Sequence, residues 1–185
     1  MNIISLAIPE VKLITPTKHE DSRGFFMETW SEKLLSEHHI NIKFIQDNHS
    51  LSFSKDTLRG LHFQAPPFTQ VKLVRATRGG ILDVAVDIRI GSPTFGQSVT
   101  AELTADNMQQ MLIPEGFAHG FCTLDDNTEV QYKVNAYYSA EYDFGIAWND
   151  SSLGIKWPAD ESKVLLSAKD RKLPNLEDLE NPFSY

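Results

Sequence analysis

The chain is 185 residues long, enough for one domain with a sizeable core and too few for two full ones. Apolar residues make up 41% and charged residues 23%, an ordinary globular balance, and a net charge of −8 argues against a nucleic-acid partner. Cys122 is the one cysteine, which excludes an internal disulfide.

The start, Met1 to Glu10, has no basic segment and only a short apolar stretch. No apolar run approaches the roughly 20 residues of a membrane-spanning helix. The expectation is a cytoplasmic protein with no membrane partner. Short runs of alternating polarity follow, broken often by Gly, Pro, Asn and Asp, the pattern of antiparallel β structure. In chain order, strands are expected at 12–14 and 25–29, then a helix at 32–39. Ser31 is its N-cap, and Leu34, Leu35 and His38 lie on its buried face. Strands follow at 43–50, 60–64 and 71–76. The clearest spans 81–88, where Leu82, Val84, Val86 and Ile88 share one face and Asp83, Ala85 and Asp87 the other. Further strands are expected at 96–103, 111–113, 118–123, 129–138 and 146–148, with helical turns beginning at Thr104 and Ser167. The last dozen residues, acidic and flanked by Pro174 and Pro182, read as the one loose stretch. There are no repeats or linkers, so residues 1–185 form a single domain. Many short strands with few helices make it all-β, a sandwich or jelly roll.

Six segments then carry a resemblance. Residues 21–28 read DSRGFFME, 46–75 QDNHSLSFSKDTLRGLHFQAPPFTQVKLVR, 83–96 DVAVDIRIGSPTFG, 113–121 IPEGFAHGF, 148–150 WND and 166–170 LSAKD. Through them almost the whole chain resembles the dTDP-4-dehydrorhamnose 3,5-epimerase family. The resemblance implies a cupin jelly roll, a double-stranded antiparallel β-barrel with a few short helices, that forms a homodimer by exchanging N-terminal strands. It implies dTDP-4-dehydro-6-deoxy-glucose as substrate, inverted at C3 and C5 to the precursor of dTDP-L-rhamnose. A relative that inverts only one of these carbons is the alternative.

Epimerisation beside a ketone needs a base, a donor for the enolate oxygen and an acid on the opposite face. His62 is the candidate base, because imidazole accepts a proton near neutral pH. A strand histidine is more often structural, and the motif LRGLHFQ decides for the base. Asp170 is its candidate orienting partner. Ser167-Ala168-Lys169-Asp170 also matches a helix capping box, and both readings can hold together. Lys72 shares parity with Val74 and Ala76 and is read as inward, to stabilise the enolate, with Asp83 as its expected counter-charge. Tyr132, in phase with Val130 and Val134, is the candidate acid, since a phenol stays protonated at pH 7. A core tyrosine fits the pattern equally. Tyr138 shares that parity six positions on, and a straight strand would place it at the nucleotide end.

By resemblance His119 meets the sugar ring. Arg23 and Arg59 suit the pyrophosphate as guanidinium forks, with Lys169 beside them. Arg59 and His62 have opposite strand parity, so a bulge at Gly60 is expected. Phe26, Glu28, Gln46, Asp47 and Asn48 map to the nucleotide region, with Phe26 stacked on thymine and 23–28 supplied by the partner subunit. Asp143, placed by resemblance among the substrate-binding residues, stands where the family usually carries glutamate in the turn before 148–150. Pro114-x-Gly116-x-x-His119 keeps half of a cupin metal motif. In the other half, His62-Phe63-Gln64 and Gln70 leave two imidazoles without a carboxylate or third histidine, so neither metal nor cofactor is expected.

Overall fold

Alternation decides which face of each strand is buried, and the computed structural model, which describes residues 1–185, resolves those faces into two antiparallel sheets. The first has six strands in the order β1 (Asn2–Ser5), β2 (Lys12–Thr15), β10 (Gln110–Ile113), β7 (Lys72–Arg78), β12 (Thr128–Val134) and β5 (Gln46–Ser52). The second has five, in the order β13 (Asp143–Gly145), β6 (Leu58–Gln64), β11 (Phe117–Thr123), β8 (Gly80–Asp87) and β9 (Ser98–Thr104). A separate hairpin pairs β3 (Lys18–Asp21) with β4 (Gly24–Met27). The sheets face each other as a jelly roll, as expected. No helix is long and apolar enough to cross a membrane.

Val74 and Val130 from one sheet meet Ile81, Ala85 and Phe121 from the other in the core between them. The second sheet is covered on its far side too. Leu61, Phe63, Val84, Val86 and Ala118 pack there against Ile146, Leu153 and Leu176 of the C-terminal segment. The more apolar face of β8 therefore lies under the C-terminal segment, and its Asp83–Ala85 face looks into the barrel. Leu176 is buried, Phe183 packs on the same cluster, and Tyr185 N–H bonds Ile90 O. The final dozen residues are thus fastened down: their spaced apolar side chains outweigh their acidic composition.

The helix expected at 32–39 is the shorter α1 (Glu32–Glu37), with Ser31 Oγ accepting from Leu34 N–H; of the expected buried face only Leu35 is buried, and His38, the C-cap, is exposed. The turn at Thr104 does not become a helix. Thr104 and Asn107 bond each other's amides through their side chains, and Met108 adopts φ +55°. At Ser167 the chain forms only a 3-10 turn, Asp170–Lys172. The last strand is Asp143–Gly145 instead of 146–148, and β12 ends at Val134 instead of running to Tyr138. The expectations also lacked β1 and β3, which are short and largely exposed and so carry no burial alternation.

Candidate active site

β6 and β11 are neighbours, and His62 is the register partner of His119. Both point into the barrel, because alternation sends Leu61, Phe63 and Ala118 to the opposite side. His62 Nε2 lies 2.6 Å from Asp170 Oδ1. A carboxylate is an acceptor only, so the neutral ring carries its proton on Nε2 and leaves Nδ1 as a free base. Burial pushes the Asp170 carboxyl up, but the hydrogen bonds from His62 and Ser167 outweigh it and hold it below the usual range. Asp170 also answers the capping reading: its own N–H donates to Ser167 Oγ at 3.0 Å. The amide serves the turn while the carboxylate serves the histidine.

His119 repeats the arrangement. Its Nε2 is 2.7 Å from Asp83 Oδ1, and both side chains are buried. Burial pushes His119 down and Asp83 up. Asp83 Oδ2 is buried without a hydrogen-bond partner. Lys72 and the expected partner Asp83 make no direct hydrogen-bonded pair: Asp83 Oδ1 accepts from His119, its diagonal neighbour across β8 and β11, and Asp83 acts on Lys72 through its charge alone. Lys72 Nζ donates to His62 O at 3.3 Å. Burial pulls Lys72 down to about 8, opposed first by the charge of Asp143 and then by that of Asp83.

His62, Asp170, His119 and Lys72 line a cavity of about 680 Å³ with Tyr132, Arg59, Lys169 and Asp143. Burial raises the Tyr132 phenol. Arg59 shares the cavity with His62 because β6 takes three residue steps from Arg59 to His62 where β11 takes two from Phe121 to His119. The extra residue falls at Gly60, φ +121°, the position expected for a bulge. An adjoining lobe of about 420 Å³ adds Gln46, Asn48, Gln64 and Tyr138. Tyr138 is not a strand's length away. The chain turns back after Val134, and Tyr138 Oη donates to Asp143 Oδ2 at 2.9 Å. Lys169 Nζ reaches the same oxygen at 2.6 Å.

Four expected members lie outside. Arg23 and Phe26 on the β3–β4 hairpin, and Glu28 beyond it, are exposed, and Arg23 pairs with Asp21 at 2.6 Å. Asp47 points to the other face of β5 from Gln46 and Asn48 and binds Lys133 at 2.7 Å. One residue had no expected role. Gln64 is buried, donates to Phe68 O and Tyr137 O, and accepts from Ser139 N–H. It pins both sides of the loop that carries Tyr138. Its signal was parity: a polar side chain two positions after His62, on the same face.

The fold is a cupin, and the groups gathered in its barrel are those of an isomerase that moves protons at carbon. The sequence matches the profile of the dTDP-4-dehydrorhamnose 3,5-epimerase family over residues 5–178. It is 51% identical to the dTDP-4-dehydrorhamnose 3,5-epimerase of Sinorhizobium fredii, over 98% of this chain and 92% of that one. Among solved structures it resembles the dTDP-6-deoxy-D-glucose-3,5-epimerase of Legionella pneumophila in complex with dTDP-4-keto-L-rhamnose. That likeness has a TM-score of 0.95 at 45% identity, covering 100% of this chain and 98% of that one. The Bacillus anthracis dTDP-4-dehydrorhamnose 3,5-epimerase with TDP and PPi bound gives 0.91 at 47%, covering 94% and 98%. The chain belongs to the dTDP-4-dehydrorhamnose 3,5-epimerase family.

Proposed function

We propose that the chain epimerises dTDP-4-dehydro-6-deoxy-D-glucose at C3 and C5 to dTDP-4-dehydro-L-rhamnose, the step before reduction to dTDP-L-rhamnose. One observation carries the mechanism. His62 enters the cavity from the five-stranded sheet and Tyr132 from the six-stranded sheet. A sugar ring held between the sheets has a base on one face and an acid on the other, and inversion requires that arrangement.

His62 Nδ1 takes the proton from the carbon beside the C4 ketone, while Asp170 holds the ring and balances the imidazolium. The electron pair moves to the ketone oxygen, where the Lys72 ammonium meets the developing charge. The Tyr132 phenol gives a proton to the opposite face of the carbon. Solvent recharges the phenol and discharges the imidazole, so the reaction is neutral in protons. His119, kept neutral by burial and oriented by Asp83, contacts the ring. Arg59 and Lys169 take the pyrophosphate, and Gln46, Asn48 and Tyr138 the nucleoside.

Arg23, Phe26 and Glu28 complete the nucleotide site from a partner subunit. Their exposed hairpin, which stands clear of the chain's own cavity, supports a homodimer that exchanges N-terminal strands. The test is incubation with the substrate in D₂O, followed by NMR at C3 and C5. Deuterium at both carbons is expected. Label at one carbon would reassign the chain to single epimerases, and label at neither would overturn the function.

A further inference from the structure

Asp143 Oδ2 accepts two hydrogen bonds at once, from Tyr138 Oη at 2.9 Å and from Lys169 Nζ at 2.6 Å. Its donors come from different parts of the chain. Tyr138 follows β12, the strand that carries Tyr132. Lys169 immediately precedes Asp170, the partner of His62. Asp143 itself is anchored, because β13 pairs with β6 and sets Gly145 against His62 and Asp143 against Gln64. Asp143 also lines both lobes of the cavity alongside Lys72. We propose that Asp143 is a positioning residue: it ties Tyr138 and Lys169 together across the mouth of the site and supplies the counter-charge of the Lys72 ammonium. This rests on the epimerase reading and adds a role for a residue that chemistry at the carbon does not touch.

The alternatives for that counter-charge are few. Asp83 on β8 accepts from His119 and adds the smaller of the two charges that favour protonated Lys72, while Asp170 accepts from His62. His62 on β6, His119 on β11 and Tyr132 on β12 are uncharged when neutral, and Lys169 and Arg59 carry the wrong sign. Asp143 heads the charges that favour protonated Lys72, whereas Lys169 opposes it. The carboxylate therefore acts twice, offsetting one lysine by pairing it and supporting the other across the cavity. Its short side chain suits this, since it reaches both rim donors from a residue fixed in a strand.

The test is a titration of Lys72 by NMR in protein carrying 13C-labelled lysine, assigned with Lys72→Met, together with kcat and KM across pH. Asp143→Asn is expected to move the Lys72 midpoint down from about 8, by on the order of half to one pH unit. It should also lower kcat/KM at pH 8 about tenfold. Asp143→Glu is expected to restore the midpoint, and Lys169→Met to move it up. An unmoved midpoint in folded Asp143→Asn overturns the proposal. Because the titration needs no substrate, a wild-type protein that fails to turn over the sugar nucleotide overturns the epimerase reading separately.

Discussion

His62 and His119 face each other as register partners on β6 and β11, and each gives its Nε2 to a different aspartate. The two pairs differ in surroundings. Asp170 is held below the carboxylate range by its hydrogen bonds, whereas burial pushes Asp83 up and His119 down. Similar geometry therefore sets a carboxylate held charged beside His62 and keeps His119 neutral.

His62→Ala is expected to abolish turnover while dTDP binding, measured by calorimetry, survives. Asp170→Asn should keep KM and reduce kcat by about 10²- to 10⁴-fold, because a side-chain amide can force the wrong tautomer. A normal kcat in Asp170→Asn would remove the orienting role.

Tyr132→Phe should separate two events that the wild type couples. Exchange of the α-proton with D₂O, followed by NMR, needs only His62 and should persist. Completed epimerisation needs a donor on the other face and should fall about 10²- to 10⁴-fold. Equal loss of both would argue that Tyr132 is not the acid.

Lys72 is expected to cost stability where it serves chemistry. Burial lowers its midpoint from 10.5 to about 8, so between these values the unfolded chain binds more protons than the folded one. Stability contributed at this site rises with pH across that window. Lys72→Met should therefore raise the thermal midpoint at pH 7 by a few degrees, roughly, with the gain shrinking as pH climbs past 8. Activity should be lost. In the wild type, kcat/KM should fall above pH 8 as the ammonium deprotonates.

Gly60→Ala tests the bulge. An added Cβ would lie 2.6 Å from Gly120 Cα and 2.7 Å from His119 O, at φ +121°. Both neighbours are backbone and cannot give way. Destabilisation of about 2–4 kcal/mol is expected by denaturant titration, with kcat reduced because Arg59 and His62 lose their common orientation.

The face assignments of Lys72 and Tyr132 were legible because alternation is a local property, whereas His119 was placed by its motif alone. The bulge was legible too, because two functional side chains of opposite parity had to meet. Partnerships were harder to read. The sequence offers Asp83 to Lys72, but the β8–β11 register sets Asp83 opposite Phe121 and diagonal to His119, which it bonds, and register is a long-range property. The reach of Tyr138 was misjudged for the same reason: the end of β12 depends on where β5 stops pairing with it. Gln64 showed no motif, only a parity that gains meaning once the loop beside it is known.

Asp170 arrives after every strand of both sheets, on the segment that covers the far side of β6, β11 and β8. The barrel and His62 are thus encoded early, and Asp170, which bonds His62, late. During synthesis, a chain that has emerged as far as Gly145 holds all thirteen strands, yet its His62 has no carboxylate beside it. Docking of the tail therefore does two things at once: it covers Leu61, Phe63, Val84 and Ala118 with Ile146, Leu153 and Leu176, and it brings Asp170 to His62.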